Sequence, residues 1–313
     1  MPVFKILITD GLDSNGIAIL KKSAEVVEMT GITPDDLLKE IAEYDALIVR
    51  GRTKVTAAVF DAAKNLKVVG RAGVGVDNID LAAAKAHGVT VVNSPMATTT
   101  AVAELTMALM LSAVREIARA DSSLKAGKWL KKEFEGFELS GKTLGVIGFG
   151  RIGAAVAKRA AAFDMTILGY DPMVPAEEIT KRGGTPVSMD ELLSQSDMIT
   201  MHLPLTEETK SLINADAFAK MKQGVYLICA ARGGVIDETA LLDALNSGKV
   251  AGAALDVFVT EPPGLTDLVA HPKLVCTPHV GAQTVEAQHR AAHDIAEEIV
   301  AALNGSPLRW KVA

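Results

Sequence analysis

Three polar residues, Arg232, Glu261 and His279, each come shortly after an apolar segment with the pattern of a buried strand. The carboxyl ends of parallel strands meet at the ligand-binding edge of a sheet. We therefore expect these three side chains to lie close together at one edge of a parallel sheet.

An arginine, a carboxylate and a histidine at such an edge suit hydride transfer between a substrate and a nicotinamide cofactor. The cofactor carries the hydride, so the protein must handle a proton and a developing charge. His279 would take the proton of a substrate hydroxyl, because histidines exchange protons near neutral pH. Glu261 would hold the other ring nitrogen and favour the protonated ring. Arg232 would bind a substrate carboxylate through two hydrogen bonds and polarise the reacting carbonyl.

Each of these residues also has a structural interpretation when taken singly. A histidine beside a proline is commonly structural, Glu-Pro-Pro is commonly a loop, and an arginine beside glycines can cap a turn. Their occurrence at successive strand ends, downstream of a dinucleotide-binding motif, favours the catalytic interpretation.

That motif is Gly-Phe-Gly-Arg-Ile-Gly at residues 148–153, between a predicted strand and an alanine-rich helix. Gly148 permits a tight turn, Gly150 lets the backbone approach a pyrophosphate, and Gly153 allows close packing of helix on strand. The phosphates would face the free N–H groups and the dipole of the helix N-terminus. Asp171 ends the next strand, where a carboxylate binds ribose hydroxyls and repels a 2′-phosphate. We therefore expect NAD rather than NADP.

The composition is typical of a soluble α/β protein. The 313 residues are 49% hydrophobic and only 4% aromatic, which suits parallel sheets of Ala, Val, Leu and Ile covered by helices. A net charge of −6 argues against nonspecific binding to nucleic acid. The N-terminus lacks a signal-peptide pattern, and the longest apolar run is shorter than the about 20 residues of a membrane span. A cytoplasmic protein is expected.

The cysteines and two of the histidines have structural interpretations. Cys229 and Cys276, the only cysteines, lie in apolar strand-like segments, so two buried thiols are expected rather than a disulfide. His289 and His293 stand at i and i+4 of a predicted helix. No glutamate lies between them as in zincins, and no third ligand is evident, so no metal site is expected.

Short strand patterns alternate with helical patterns along the chain, which predicts parallel sheets covered by helices. A turn at 93–95 separates two such series. One long helix is predicted over about 100–126 and an amphipathic helix over 286–303. If that last helix packs on the first sheet, the first domain is discontinuous. The strands are predicted at 5–9, 26–29, 46–49, 68–70, 89–92, 143–147, 166–170, 198–202, 225–229, 252–257 and 274–277.

Over nearly its whole length the sequence resembles the D-isomer-specific 2-hydroxyacid dehydrogenases, and within them the phosphoglycerate dehydrogenases most closely. The resemblance rests on the glycine motif at 148–153, on the three catalytic segments, and on the motifs at 68–78, 141–145 and 252–258. Together these motifs are specific for the family.

The resemblance implies an α/β fold of two Rossmann-like, doubly wound parallel-sheet domains with a cleft between them. Residues 1–95 and 284–313 would form a flavodoxin-like substrate domain, and residues 96–283 an NAD-binding Rossmann domain through which two chains form a homodimer. Besides the glycines and Asp171, the cofactor contacts that it implies are Arg151, Ile152, Leu203, Pro204, Ala230, Asp256, Gly281 and Ala282. Besides Arg232 and His279, the substrate contacts expected are Arg50, Arg52, Gly73, Val74 and Gly75.

The implied reaction is the oxidation of 3-phospho-D-glycerate to 3-phosphohydroxypyruvate, the first step of serine biosynthesis. Arg50 and Arg52 would supply two guanidiniums for the phosphate, although a pair of solvated surface arginines is the structural alternative. Ala97-Thr98 replaces the Gly-Asn pair usual in phosphoglycerate dehydrogenases. This difference leaves sulfolactate, hydroxypyruvate and glyoxylate open as substrates.

Two further expectations concern regulation and function class. No serine-binding regulatory domain fits after the last helix, so no feedback inhibition by serine is expected. An NAD-sensing corepressor of the same fold is an alternative from another class, but the long disordered tails typical of such proteins are not evident.

Overall fold

The computed structural model describes residues 4–313. It folds into two compact units: the described residues up to Thr98 together with Ala282–Ala313, and Thr99–Gly281. The divisions lie a few residues from the boundaries expected at 95 and 283. Each unit holds one sheet in which all strands are parallel, which confirms the predicted α/β class.

Strands and helices alternate along most of the chain. The strands are β1 (Phe4–Ile8), β2 (Ala24–Glu28), β3 (Ala46–Val49), β4 (Val68–Arg71), β5 (Thr90–Asn93), β6 (Thr143–Ile147), β7 (Thr166–Tyr170), β8 (Thr185–Pro186), β9 (Met198–Met201), β10 (Val225–Cys229), β11 (Val250–Leu255) and β12 (Leu274–Cys276). The helices are α1 (Ser14–Leu20), α2 (Pro34–Glu40), α3 (Ala57–Ala62), α4 (Leu81–Ala86), α5 (Thr99–Val114), α6 (Ile117–Lys125), α7 (Arg151–Ala161), α8 (Ala176–Lys181), α9 (Met189–Gln195), α10 (Ala215–Lys220), α11 (Glu238–Asn246) and α12 (Val285–Leu303). Short 3-10 helices occupy Ile41–Glu43 and Lys131–Glu133.

The first unit is a five-stranded sheet in the order β2-β1-β3-β4-β5. Its α12 comes from the end of the chain and packs on this sheet. A Cβ on Gly70 of β4 would lie 2.9 Å from Ile295 of α12, and one on Gly16 of α1 would lie 2.5 Å from the carbonyl oxygen of Ala292. Glycine at both positions therefore allows α12 to pack closely on β4 and α1, and both ends of the sequence share one core.

The second unit is a seven-stranded sheet in the order β12-β11-β10-β9-β6-β7-β8. The chain leaves β6 in one direction to form β7 and β8, and then returns to form β9 on the other side of β6. Ligands of doubly wound sheets bind at the carboxyl ends of the strands where the strand order reverses in this way. In this unit, that place is the end of β6 and β9.

The single long helix predicted over 100–126 is wrong, because two helices occupy the segment. Helix α5 ends at Val114, and Glu116 takes a left-handed conformation (φ 49°, ψ 38°) before α6 begins. Helix α5 has buried residues along most of its length, whereas α6 has none. The apolar residues of α6 keep helical spacing without packing on the core, which is why the sequence pattern alone suggested one helix.

The expectation of two buried thiols holds for Cys229 and is wrong for Cys276, which is exposed. Cys276 ends β12, an edge strand of the second sheet, so it has a strand neighbour on one side only. Within residues 4–313, no helix is both long and apolar enough to cross a membrane. The same residues contain no group of three His, Cys, Asp or Glu side chains able to hold a metal ion.

Candidate functional site

The glycine motif turns tightly between β6 and α7. Gly148 has φ 91°, and a Cβ there would lie 2.5 Å from the carbonyl oxygen of His202. A Cβ on Gly153 would lie 2.0 Å from the carbonyl oxygen of Gly148. Gly150, the N-cap of α7, is instead open, since nothing lies within 4 Å of its Cβ position. Two glycines are therefore required by packing, and the third leaves backbone accessible at the helix N-terminus, where a pyrophosphate would fit.

Asp171 is held by one residue of the same turn and by two residues that follow it in the sequence. Its carboxylate accepts hydrogen bonds from the N–H groups of Phe149 (2.7 Å), Met173 (2.8 Å) and Val174 (3.2 Å). A carboxylate fixed at the end of β7 in this way matches the ribose-binding position of a Rossmann fold and disfavours a 2′-phosphate. The residues present therefore fit NAD.

His202, which the sequence analysis did not select, lies at the end of β9 beside Gly148. Its Nε2 is 3.1 Å from Oγ1 of Thr200, whereas Nδ1 is buried and has no hydrogen-bond partner among the described residues. Burial lowers the pKa of His202 to about 3, so the ring is neutral at pH 7. A histidine immediately before the predicted contacts Leu203 and Pro204 was the available signal for this position.

Glu261 and His279 form a direct pair in the second unit. Oε2 of Glu261 lies 2.7 Å from Nδ1 of His279, and Oε1 accepts the N–H of Phe258 at 3.1 Å. Both side chains remain partly exposed, His279 by 49% and Glu261 by 37%. In the neutral ring, a proton on Nδ1 is donated to the carboxylate, which leaves Nε2 as the proton acceptor. The sequence analysis expected Glu261 to hold one ring nitrogen of His279, and the structure shows this contact at Nδ1.

Arg232 lies on the loop after β10, next to the loop that carries Glu261. A Cβ on Gly233 would lie 1.9 Å from the carbonyl oxygen of Phe258, so the two loops are in backbone contact. Nη1 of Arg232 donates to the carbonyl oxygen of Ala231 at 2.7 Å. The structure thus brings the Arg232 and Glu261 loops together at the carboxyl ends of β10 and β11.

The other predicted cofactor residues lie at the carboxyl ends of strands or directly after them. Those of the second unit occupy the start of α7 and the ends of β9 to β12: Arg151, Ile152, Leu203, Pro204, Ala230, Asp256 and Gly281. Ala282 begins the returning segment of the first unit, and its carbonyl oxygen accepts a hydrogen bond from Gln288.

In the first unit, Arg50 and Arg52 differ in their contacts. Arg52 donates to the carbonyl oxygen of Thr9 at 2.9 Å and lies 3.3 Å from Asp10. The half-buried guanidinium of Arg50 has no hydrogen bond or ion pair with any residue in the described range 4–313. Burial lowers the pKa of Arg50 below its ordinary value, an effect that the charge of Asp10 opposes. The guanidinium of Arg52 is thus engaged by neighbouring residues of the first unit, whereas that of Arg50 is not.

Asp10 holds the loop that carries Arg50. Its carboxylate accepts the N–H groups of Arg50 (2.8 Å) and Thr53 (3.1 Å) and the hydroxyl of Thr53 (2.5 Å). These hydrogen bonds lower the pKa of Asp10 in spite of its burial. The sequence analysis missed Asp10 because its partners lie far along the chain.

The loop after β4, which contains the predicted contacts Gly73, Val74 and Gly75, is hydrogen bonded to the end of β5 and the residue after it. Gly73 has φ 149°, and its carbonyl oxygen accepts the N–H of Ser94 at 2.9 Å. The side chain of Asn93 donates to the carbonyl oxygen of Val74 at 2.6 Å. The neighbouring Ala97 and Thr98 are buried. The loop therefore has a fixed backbone.

Comparison with known proteins shows the family to which this chain belongs. Residues 107–281 match the family described as D-isomer specific 2-hydroxyacid dehydrogenase, NAD binding domain. The chain belongs to the D-isomer-specific 2-hydroxyacid dehydrogenases. The predictions of the family and of an NAD-binding domain are thereby confirmed. NAD, when bound, accepts or delivers the hydride, and the protein supplies proton transfer and charge stabilisation.

The chain is similar in sequence to several members of this family. It is 48% identical to hydroxypyruvate reductase from Thermotoga maritima, over 96% of this chain and 98% of that protein. It is 50% identical to D-3-phosphoglycerate dehydrogenase 2, chloroplastic, from Arabidopsis thaliana, over 97% of this chain and 49% of that protein. The chain spans about half the length of several curated relatives that it matches.

The fold is also that of solved structures of this family. A glyoxylate reductase from Paecilomyes thermophila has a TM-score of 0.92 at 31% identity, covering 100% of this chain and 99% of that one. D-lactate dehydrogenase from Escherichia coli has a TM-score of 0.86 at 27% identity, covering 99% of this chain and 100% of that one.

Replacing Glu261 by Gln should lower kcat by about 10²-fold, because His279 loses the carboxylate that orients its ring and stabilises the protonated form. The Kd for NADH, measured by fluorescence, should change little. Glu238→Gln is the matched control, since Glu238 accepts the N–H of Val259 in the same loop without contacting His279. Equal kcat values for the wild type and Glu261→Gln would contradict the assigned pairing.

The neutral, buried His202 should make the protein acid-sensitive. Its folded-state pKa of about 3 lies below the ordinary 6.5, so below pH 6.5 the unfolded chain binds a proton that the folded protein does not. The free energy of unfolding should therefore fall by about 1.4 kcal/mol per pH unit from this residue as the pH decreases from 6.5 towards 3. Urea unfolding between pH 6.5 and 5 should give a shallower pH dependence for His202→Asn. Parallel slopes for the two proteins would show that His202 titrates normally.

Proposed function

We propose that this protein is a cytoplasmic NAD-dependent dehydrogenase that oxidises 3-phospho-D-glycerate to 3-phosphohydroxypyruvate, as in the first step of serine biosynthesis. The observation that carries the reaction is the hydrogen bond between Nδ1 of His279 and Glu261, in the unit that also contains the glycine motif. It leaves Nε2 of His279 as a base at the carboxyl edge of the sheet.

In the oxidation, Nε2 of His279 takes the proton of the C2 hydroxyl, and NAD, which the glycine turn and Asp171 would hold, would accept the hydride from C2. The C2–O bond becomes a carbonyl, and Glu261 stabilises the protonated ring. Arg232 binds the substrate carboxylate and polarises the C2 oxygen. In the reverse direction, the same ring returns the proton to the alkoxide.

The choice of a phosphorylated acid is supported by Arg50 and by the relatives. A half-buried guanidinium without a partner is poorly solvated, and binding of an anion would compensate for this. Asp10 fixes the backbone beneath Arg50, so that its position does not depend on the ligand. Relatives at 46–50% identity include several phosphoglycerate dehydrogenases.

NADH formation should be fastest with 3-phosphoglycerate in a panel that includes glycerate, lactate and sulfolactate, with hydroxypyruvate and glyoxylate tested for reduction. Arg50→Gln should raise the KM for 3-phosphoglycerate by about tenfold or more, because a charge-assisted contact is lost. The Kd for NADH should stay unchanged. Lys54→Gln, a change at an exposed residue near the same loop, is the matched control.

Faster turnover of another acid would move the assignment to that substrate, and the buried Ala97-Thr98 pair would be the first position to exchange. Tight NADH binding without turnover of any acid in the panel would instead support the corepressor alternative.

We further propose that two chains form a homodimer through the second unit. Helix α6 and the segment after it expose large apolar side chains: Ile117 by 54%, Leu124 by 60% and Trp129 by 79%. An isolated chain would leave this apolar surface in water, and a second copy of the chain would bury it.

Sedimentation equilibrium should therefore give twice the chain mass at micromolar concentration. The double variant Leu124→Glu/Trp129→Glu should shift the protein to monomer, because each change places a charge in the buried contact. Met173→Glu, at an apolar residue elsewhere in the unit that is even more exposed, should leave the dimer intact. A wild-type protein of single-chain mass would exclude the homodimer.

A further inference from the structure

The turn that carries His279 needs a strong external constraint. Residues 277–281 follow β12, and His279 adopts φ 52°, in the left-handed region that residues with a Cβ rarely occupy. Such a conformation persists only where the surrounding structure holds it in place. His279 is the base of the proposed reaction, so the group that holds this turn determines where the base lies.

That group is Asp256, the residue directly after β11. Its side chain is almost fully buried, and its Oδ1 accepts the N–H of Val280 at 2.8 Å and the hydroxyl of Thr277 at 2.6 Å. Its Oδ2 accepts the N–H of Gly281 at 2.8 Å. The carbonyl oxygen of Asp256 accepts the N–H of His279 itself at 2.8 Å. Asp256 thus accepts four hydrogen bonds from the turn, and they fix it on both sides of the histidine.

The other side of the turn is closed by packing. A Cβ on Gly281 would lie 3.2 Å from Oδ2 of Asp256 and 3.3 Å from Val102 of α5. The turn therefore lies between the Asp256 carboxylate and a buried helix, and a side chain at Gly281 would fit only if these neighbours shifted by a few tenths of an ångström. It cannot move away from Asp256 without disturbing α5.

The carboxylate of Asp256 is held by neutral hydrogen-bond donors. Among residues 4–313, no lysine, arginine or histidine forms an ion pair with it, and its partners are N–H and O–H groups of the turn. A buried carboxylate is costly unless such donors satisfy it. An asparagine would fit the same space, but its NH2 group would face an N–H of the turn, donor against donor. The site therefore requires a carboxylate acceptor on both sides.

We propose that Asp256 is the positioning residue of the proton-transfer turn, acting on catalysis through His279. The sequence analysis assigned Asp256 to cofactor contact; residues 277–281 occupy three of the about four acceptor sites of its carboxylate, which leaves one for that contact. It sets the distance between His279 and Glu261 before any ligand binds. This role rests on His279 being the base, whereas the hydrogen bonds that define it exist in the free protein.

The first test is amide hydrogen exchange in the protein without ligands, followed by NMR. The N–H groups of Val280 and Gly281 lie outside any helix or strand, yet they should exchange slowly in the wild type. In Asp256→Asn, both should exchange at least about tenfold faster, while Ala253 and Ala254 in β11 keep their protection. Unchanged exchange at Val280 and Gly281 in this variant would overturn the proposal. Because no substrate is used, this result stands whatever acid the enzyme oxidises.

The second test uses Thr277, which contributes one of the hydrogen bonds and does not depend on Asp256→Asn folding. Thr277→Val removes the hydroxyl and should lower kcat by about tenfold, with the KM and the Kd for NADH nearly unchanged. Thr277→Ser keeps the hydroxyl and should restore kcat. Asp256→Asn should lower kcat further than Thr277→Val. A Thr277→Val enzyme with full kcat, or equal losses in the Val and Ser variants, would show that the contact is only structural.

Discussion

At the carboxyl edge of a parallel sheet, the strands end and the N–H groups of the following loops lose their ladder partners. Backbone N–H groups buried there must find another acceptor. This chain supplies it repeatedly with an aspartate from the adjacent strand. Asp10 after β1 holds the loop after β3, and Asp171 after β7 holds the turn after β6. Asp256 after β11 holds the turn after β12.

This constraint explains why the functional groups are fixed although they lie on loops. A carboxylate accepts two or more hydrogen bonds from the Arg50 loop and from the His279 turn, and another accepts one from the glycine turn. Groups held in place before the substrate binds do not have to be ordered during the reaction. The acids beneath the loops are therefore as much a part of the site as the residues that face the substrate.

The glycine motif lies at the same edge of the sheet, but close packing rather than a carboxylate accounts for most of its conformation. Gly148 and Gly153 bring strand, turn and helix into backbone contact, which leaves no room for a side chain. Gly150 faces open space at the helix N-terminus. Close packing thus requires glycine at two of the three positions, whereas Gly150 has no neighbour within 4 Å of its Cβ position. The backbone carbonyl of His202 makes the close contact with Gly148, and Nδ1 of its neutral ring has no hydrogen-bond partner among residues 4–313.

The sequence by itself determined the features that depend on local pattern. Strand and helix periodicity gave the α/β class, the spacing of 148–153 gave the cofactor turn, and the strand-end rule placed Glu261 beside His279. Local signals also existed for elements that were not predicted: Ser188 and Glu191 form a capping box at the start of α9.

Only the tertiary structure decided which groups are engaged and which are free. The break at Glu116, the exposure of Cys276 on an edge strand, and the contrast between Arg50 and Arg52 all depend on neighbours distant in the sequence. Asp10 and its partners are 40 or more residues apart, and Asp256 is 24 residues from Val280. Periodicity describes which face of an element is buried, whereas hydrogen-bond partners across a sheet edge are set by how strands pair.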